Sequence, residues 1–269
     1  MEIAPQHATE LAWLVRYLAA ERGAASELPE DLEQADPQNL WLTFRALVNT
    51  REPAHASDEF YARQDALLRA LTAEKGITQA ADLLPSPADA RLHLWQGDIT
   101  TLEVDAIVNA ANSQMLGCWA PNHACIDNAI HTFAGVQLRE ACAQIMAAQG
   151  HAEPTGAAKV TPGFNLPARH VIHTVGPIVS TWSGQPTAQH AAQLASCYEQ
   201  CLAAADAHGL ASIAFCCIST GEFHFPNAEA ARIAVHTVRT YLDRTGSSLE
   251  VTFNVFKSVD YDLYRELLG

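Results

Sequence analysis

The sequence predicts an α/β domain, a sheet with helices on both faces, preceded by a helical segment. Three observations support this. From residue 92 onward, short apolar runs alternate with longer amphipathic runs, the pattern of strands alternating with helices. Residues 212–218, SIAFCCI, are apolar after the first, as in a strand covered on both faces. The LPSP run at 84–87 then separates a helical N-terminal extension, 1–88, from the main domain, 89–269, because prolines end helices and favour extended linkers.

In the extension, residues 8–22 place Leu11, Leu14, Val15 and Leu18 at helical spacing, and 40–48 and 60–71 repeat the pattern. In the main domain, 92–95 reads as a strand ending at Gly97-Asp98-Ile99-Thr100, and 106–108 as a short strand running into Asn109. Residues 127–149 read as one helix, 170–175 as a strand, 186–208 as an Ala-rich helix and 212–218 as a strand. A polar and aromatic loop at 219–226 leads into a helix at 227–241, then a strand at 249–256 and a helix at 260–268. Cys197 and Cys201, four apart on the apolar face of one helix, read as core.

Composition excludes several classes. A net charge of −14 opposes non-specific binding to nucleic acid and will not steer an anionic ligand in from a distance. No apolar run is long enough to span a bilayer, and MEIAPQHATELAW has no signal-peptide pattern. Seven cysteines, an odd number with Cys216 and Cys217 adjacent, read as reduced thiols in a cytoplasmic protein.

The chemistry concentrates in MLGCWAPNHACIDNAIH, residues 115–131. Cys118, His123 and Cys125 form a C-x4-H-x-C group, followed by Asp127 and Asn128 and preceded by Asn109 and Asn112. Thiolate and imidazole suit zinc, and three protein ligands leave a fourth tetrahedral position open. The same residues read equally as two free cysteines and a surface histidine. The 219–226 loop, STGEFHFP, precedes a helix, so its N–H groups suit a phosphate; an ordinary N-capping turn is the alternative.

GDIT (97–100), VDAIVNAAN (104–112), IDNAIH (126–131), HVIHTVGP (170–177) and CISTGEFHFP (217–226) together resemble the macrodomain family. GCWAPNHAC in place of that family's glycine-rich run, with the helical extension, resembles its zinc-containing branch. The resemblance implies a three-layer αβα sandwich with a mixed sheet, and an ADP-ribose cleft. It implies that Asp98 accepts from the adenine amino group beside Ile99, and that Asn112 touches the distal ribose. Ser219, Thr220, Gly221, Glu222 and Phe223 would wrap the diphosphate through backbone amides, with Phe223 packed on the distal ribose. Asn109 serves as a brace or a ligand contact, and Phe256 flanks adenine or lies in the core. His131 is implied to be structural, and His173 lies in a strand core. The sequence departs from the pattern at His224, where many relatives have glycine and which would narrow the cleft, and at Glu222, a negative charge near the phosphates.

The zinc-containing branch is associated with removal of mono-ADP-ribose from acidic side chains of proteins. The resemblance therefore implies a Zn2+-dependent hydrolase with Cys118, His123 and Cys125 as ligands, Asp127 orienting or deprotonating water, and Asn112 holding the ribose hydroxyls. Its partner is a mono-ADP-ribosylated protein, with no nucleic acid or membrane involved. Two other readings keep the fold: a non-catalytic ADP-ribose-binding module, and an O-acetyl-ADP-ribose deacetylase.

Overall fold

The computed structural model describes residues 2–180 and 184–269. The extension folds as three helices: α1 (Ala8–Glu21), α2 (Pro37–Asn49) and α3 (Asp58–Lys75). Their starts and stops follow local chemistry. The Asp36 carboxylate accepts from Asn39 N and Pro37 sits in the first turn of α2. Ser57 caps α3, and Gly76, at φ 88°, ends it.

The remaining elements are β1 (Thr78–Gln79), β2 (Pro85–Ser86), β3 (Asp89–Gln96), β4 (Leu102–Glu103), β5 (Ala106–Ala111), α4 (Ile126–Ala134), α5 (Val136–Gln149), β6 (Ala158–Pro162), β7 (His170–Val175), α6 (Ala188–Ala207), β8 (Ser212–Phe215), α7 (Asn227–Thr245), β9 (Glu250–Val255) and α8 (Ser258–Leu268). Seven strands form one mixed sheet in the order β2-β3-β9-β8-β5-β7-β6. The five central strands are parallel, and β2 and β6 are antiparallel edges. Helices cover both faces, giving three layers, with β1 and β4 paired as a separate parallel ribbon.

Four features differ from the sequence expectation. The single helix expected at 127–149 is two, broken at Gly135, whose φ of 93° and ψ of 172° are not helical. The break is held from outside the pair: Val136 N donates to Gln64 Oε1 of α3, and Asn165 Nδ2 donates to Ala134 O. Edge strand β6 had no sequence signal, since Ala158-Lys159-Val160-Thr161-Pro162 is only partly apolar. Strand β5 runs three residues past Val108, which places Asn109 inside the strand. The strand expected at 212–218 stops at Phe215, and Cys216 to Ile218 lead into the loop.

The carboxyl ends of β3, β9, β8, β5 and β7 share one edge of the sheet. From β5 the chain proceeds to β7 on one side, and from β8 to β9 on the other, so the winding direction switches between β5 and β8. These two strands pair only at Ala106↔Ile213 and Ile107↔Ala214, whereas β5 pairs with β7 along its length. A crevice outside strand ends at such a switch point is where open α/β sheets bind ligands.

The extension is built into the same core. One continuous apolar cluster includes Leu11, Phe44, Phe60 and Leu68 together with Ile107, Val171 and Phe253. Trp41 of α2 is 4 % exposed and meets Phe133 of α4 at 5.6 Å between ring centroids. Trp41→Ala is expected to lower the unfolding free energy by about 3–5 kcal/mol, the range for emptying a buried aromatic site, measured by urea denaturation. A cost below about 1 kcal/mol would mean that α2 rests on the domain rather than sharing its core.

Candidate functional site

At the carboxyl end of β5 the chain turns through Asn112 into the loop that carries the cysteines. Asn112 Oδ1 accepts from Gln114 N at 2.9 Å, and its Nδ2 donates to Gly117 O at 3.0 Å. Gly117 has φ 77°, and a Cβ there would lie 2.8 Å from the His131 ring, so both conformation and packing require glycine. The loop then reaches Cys125, the N-cap of α4, whose Sγ accepts from Asn128 N at 3.4 Å.

Cys118, His123 and Cys125 converge. Their ligand atoms all lie within 4.8 Å of one another, and each residue is half-exposed. Cys118 Sγ is 3.6 Å from His123 Nδ1. A tetrahedral zinc with standard bond lengths separates a sulfur and a nitrogen ligand by about 3.5 Å. The spacing fits such an ion, with His123 Nδ1 as the ring nitrogen that faces Cys118 Sγ. His123 Nε2 then faces outward, 3.7 Å from Glu222 Oε1. A carboxylate beside the second ring nitrogen is the usual means of fixing a metal-binding histidine. The Glu222 side chain thus leans toward the metal loop. Burial pushes the Cys125 thiol up to about 12, with Cys118 and Asp127 adding to the shift.

Beneath this loop lies Asp127, 5 % exposed. Its Oδ1 accepts from Asn109 Nδ2 at 2.8 Å and its Oδ2 faces Asn112 Nδ2 at 3.4 Å. Desolvation raises its pKa to about 6, against the lowering effects of the Asn109 bond, the Arg139 charge and the Asn112 contact. Asn109 is fully buried and also meets His173 Nδ1 at 3.2 Å, which places it as a brace. His131 and His173 are likewise buried. Desolvation drives His173 down to about 3 and His131 well below its usual range, so both are neutral. They form, with Cys142, a second compact group inside the core.

Asp98 follows β3. Its Oδ1 caps the short turn Ile99–Thr101, accepting from Thr100 N at 3.0 Å and Thr100 Oγ1 at 2.7 Å. Its Oδ2 receives Lys75 Nζ, from the last turn of α3, at 2.8 Å. Lys75 also lies 3.4 Å from the centroid of the Phe133 ring. Burial alone would raise the Asp98 pKa, but the Lys75 charge and the bonds from Lys75 and Thr100 outweigh it and hold the carboxyl below its usual value. Ile99 is buried beneath it. Phe256, beyond β9, is 76 % exposed, which excludes the core position.

The loop after β8 is wound tightly. Ser219 and His224 have φ values of 66° and 56°, the left-handed region. Glycine adopts this region more readily than histidine, and the His224 side chain here is exposed. Phe225 N donates to Ser219 O, His224 N to Gly221 O, and Thr220 N to Cys217 O. The N–H groups of Gly221, Glu222 and Phe223 have no partner among the described residues and are available to an anion.

Lys75 and Arg45, which donates to Asn128 Oδ1 and to His123 O, are site residues the sequence reading missed. Both come from the extension, and no local motif marks them.

The Macro domain family model matches residues 108–234. Over 96 % of its length the chain is 51 % identical to a protein-ADP-ribose hydrolase of Treponema medium, 97 % of which is covered. It is 48 % identical over its whole length to a protein-ADP-ribose hydrolase of Staphylococcus aureus, covering 98 % of that protein. Among solved structures it resembles a Trypanosoma brucei macrodomain in complex with ADP-ribose, with TM-score 0.64 and 31 % identity over 84 % of this chain and 95 % of that one.

Because the folded pKa of Asp98 lies below its unfolded value, the Lys75 pair stabilises the fold above about pH 4, and the stabilisation fades as pH falls through the folded pKa. Lys75→Met is therefore expected to lower the urea midpoint at pH 7, with the gap to wild type closing below pH 4. An equal gap at pH 7 and pH 3 would assign the loss to packing rather than charge.

Proposed function

The chain belongs to the macrodomain family, and from that premise we propose that it is a protein-ADP-ribose hydrolase that removes mono-ADP-ribose from Asp and Glu side chains with a zinc ion held by Cys118, His123 and Cys125. The observation that carries the reading is the convergence of those three side chains on a loop tied directly to Asn112, just past the carboxyl end of β5. Full-length relatives named protein-ADP-ribose hydrolases support the activity.

Each residue then has a task. Asp98, with Ile99 below it, accepts from the adenine amino group through lone pairs that Lys75 and Thr100 leave free. The N–H groups of Gly221, Glu222 and Phe223 receive the diphosphate, aided by the amino-terminal end of α7. Phe223, half-buried, packs against the distal ribose. Asn112 holds a hydroxyl of that ribose, and its amide is kept in place by Gly117 O and Asp127.

Hydrolysis breaks the bond between C1 of the distal ribose and the carboxylate oxygen of the modified side chain. Water supplies a hydroxyl to the sugar and gives up one proton, and the modified side chain departs as its carboxylate. Asp127, with a pKa of about 6, is ionised at neutral pH and serves as the base that takes the proton from that water. Zinc, when bound, supplies Lewis acidity at the distal ribose.

The test is release of ADP-ribose from a protein modified on Asp or Glu, with metal quantified on the same preparation. Chelation, Cys118→Ser and Cys125→Ser are each expected to lower both bound metal and rate, the rate by at least about 100-fold. Full turnover by metal-free protein would remove zinc from the reaction. Tight ADP-ribose binding with no release from any acyl-linked substrate would make the protein a reader, and release from O-acetyl-ADP-ribose alone would make it a deacetylase.

A further inference from the structure

The loop between the two cysteines has a backbone bond of its own, from His123 N to Ala120 O at 3.2 Å, and is braced from outside mainly by α2. Asn122 stands in the left-handed region at φ 57°, an unfavourable setting for a residue other than glycine. Its N–H donates to Asn49 Oδ1 of α2 at 3.0 Å, and its own Nδ2 donates to Leu42 O of α2 at 3.1 Å. The next residue is His123, whose carbonyl accepts from Arg45 Nη2 of α2 at 2.8 Å. The same guanidinium donates twice to Asn128 Oδ1, from Nε at 3.1 Å and Nη2 at 2.7 Å. Asn128, fully buried, passes the constraint on: its Nδ2 donates to Ala120 O at 3.0 Å and its backbone N–H to Cys125 Sγ. Asn49 is fixed in turn, donating to Thr132 Oγ1 of α4.

The loop thus meets α2 at Ala120 through Asn128, at Asn122 twice, and at His123. Two of its three metal-capable residues are reached through one arginine: His123 at its carbonyl, and Cys125 by way of Asn128. Arginine suits this task because its planar fork serves two acceptors at once and its charge is permanent, beside sulfurs that ligate as thiolates. Lysine has no such fork.

We propose that α2 is a structural part of the metal centre, and that Arg45, with Asn49, is a positioning residue that shapes the Cys118–His123–Cys125 loop before the ion arrives. The helical extension and the cysteine-bearing loop are then one device. This rests on the zinc reading above, and the experiment separates the two.

Metal affinity is measured on the full-length chain by competition for Zn2+ against a chromophoric chelator, and coordination by the absorption of the Co2+-substituted protein. Wild type is expected to bind one ion per chain with thiolate-to-cobalt absorption. Arg45→Gln is expected to bind about ten- to a hundred-fold more weakly, the usual effect of losing a residue that orients metal ligands, with an altered cobalt spectrum. Arg45→Lys keeps the charge and is also expected to bind more weakly, so a folding failure of the glutamine variant leaves the idea exposed. Arg16→Gln, on α1, where the guanidinium reaches only the 29–33 segment of the extension, is expected to match wild type. Wild-type affinity and spectrum in a folded Arg45 variant would overturn the positioning role while leaving zinc intact. Absence of metal binding by wild type would overturn the zinc reading, and this inference with it.

Discussion

The site depends on one buried carboxylate. Asp127 enters from the first turn of α4 and places its two oxygens against Asn109 and Asn112, one inside β5 and one just past its end. An ionised carboxylate is costly to desolvate unless donors surround it. Here two carboxamides donate, the start of a helix lends its positive end, and the Arg139 charge lies nearby. The pKa of about 6 shows that these groups only partly offset the burial. The arrangement locks the strand end to the helix start, so Asn112 and the cysteine loop keep a fixed relation to the carboxyl end of β5. The neutral His131 and His173 complete this layer and add no charge that would compete for the carboxylate.

Loop and layer meet at Arg139. Its guanidinium lies 4.3 Å from the centroid of the Trp119 ring and donates to Val48 O, Asn49 O and Arg51 O at the carboxyl end of α2. Val48 and Asn49 close α2 and Arg51 lies two residues beyond it, so the guanidinium serves carbonyls at and just past the helix end, where a cation also matches the helix dipole. One arginine therefore serves the end of a helix of the extension, packs on Trp119 of the cysteine-bearing loop and contributes to the field at Asp127. The apolar counterpart is Trp41 on Phe133.

Legibility in the sequence followed sequence separation. Cys118, His123 and Cys125 lie within eight residues, so spacing marked them as a candidate group while leaving ligands and free thiols equally open, and the resemblance to macrodomains marked Asp98, Asn112 and Ser219. Strand β8 was legible because its run is apolar on both faces. Gly135 hid the division of α4 from α5, since an isolated glycine within a helical pattern is tolerated and the break depends on Gln64 and Asn165, which are remote in sequence. Edge strand β6 is half polar and carries little signal. Arg45 and Lys75 were illegible in principle: each looks like one more charge on an amphipathic helix, and only the fold brings Arg45 to Asn128, 83 positions away, and Lys75 to Asp98, 23 positions away.

Those two cations bear on the charge of the whole chain. At a net −14, long-range attraction cannot gather a diphosphate ligand, so recognition depends on groups close to it. The extension is rich in acids, yet it delivers a lysine to the Asp98 carboxylate and an arginine to the His123 carbonyl and Asn128, within the field of Cys118 and Cys125. Both positive charges sit against negative or potentially negative groups, so neither is spent on the solvent. Between them stand neutral donors, the carboxamide of Asn112 and the N–H groups of Gly221 to Phe223, whose action is short-ranged and directional.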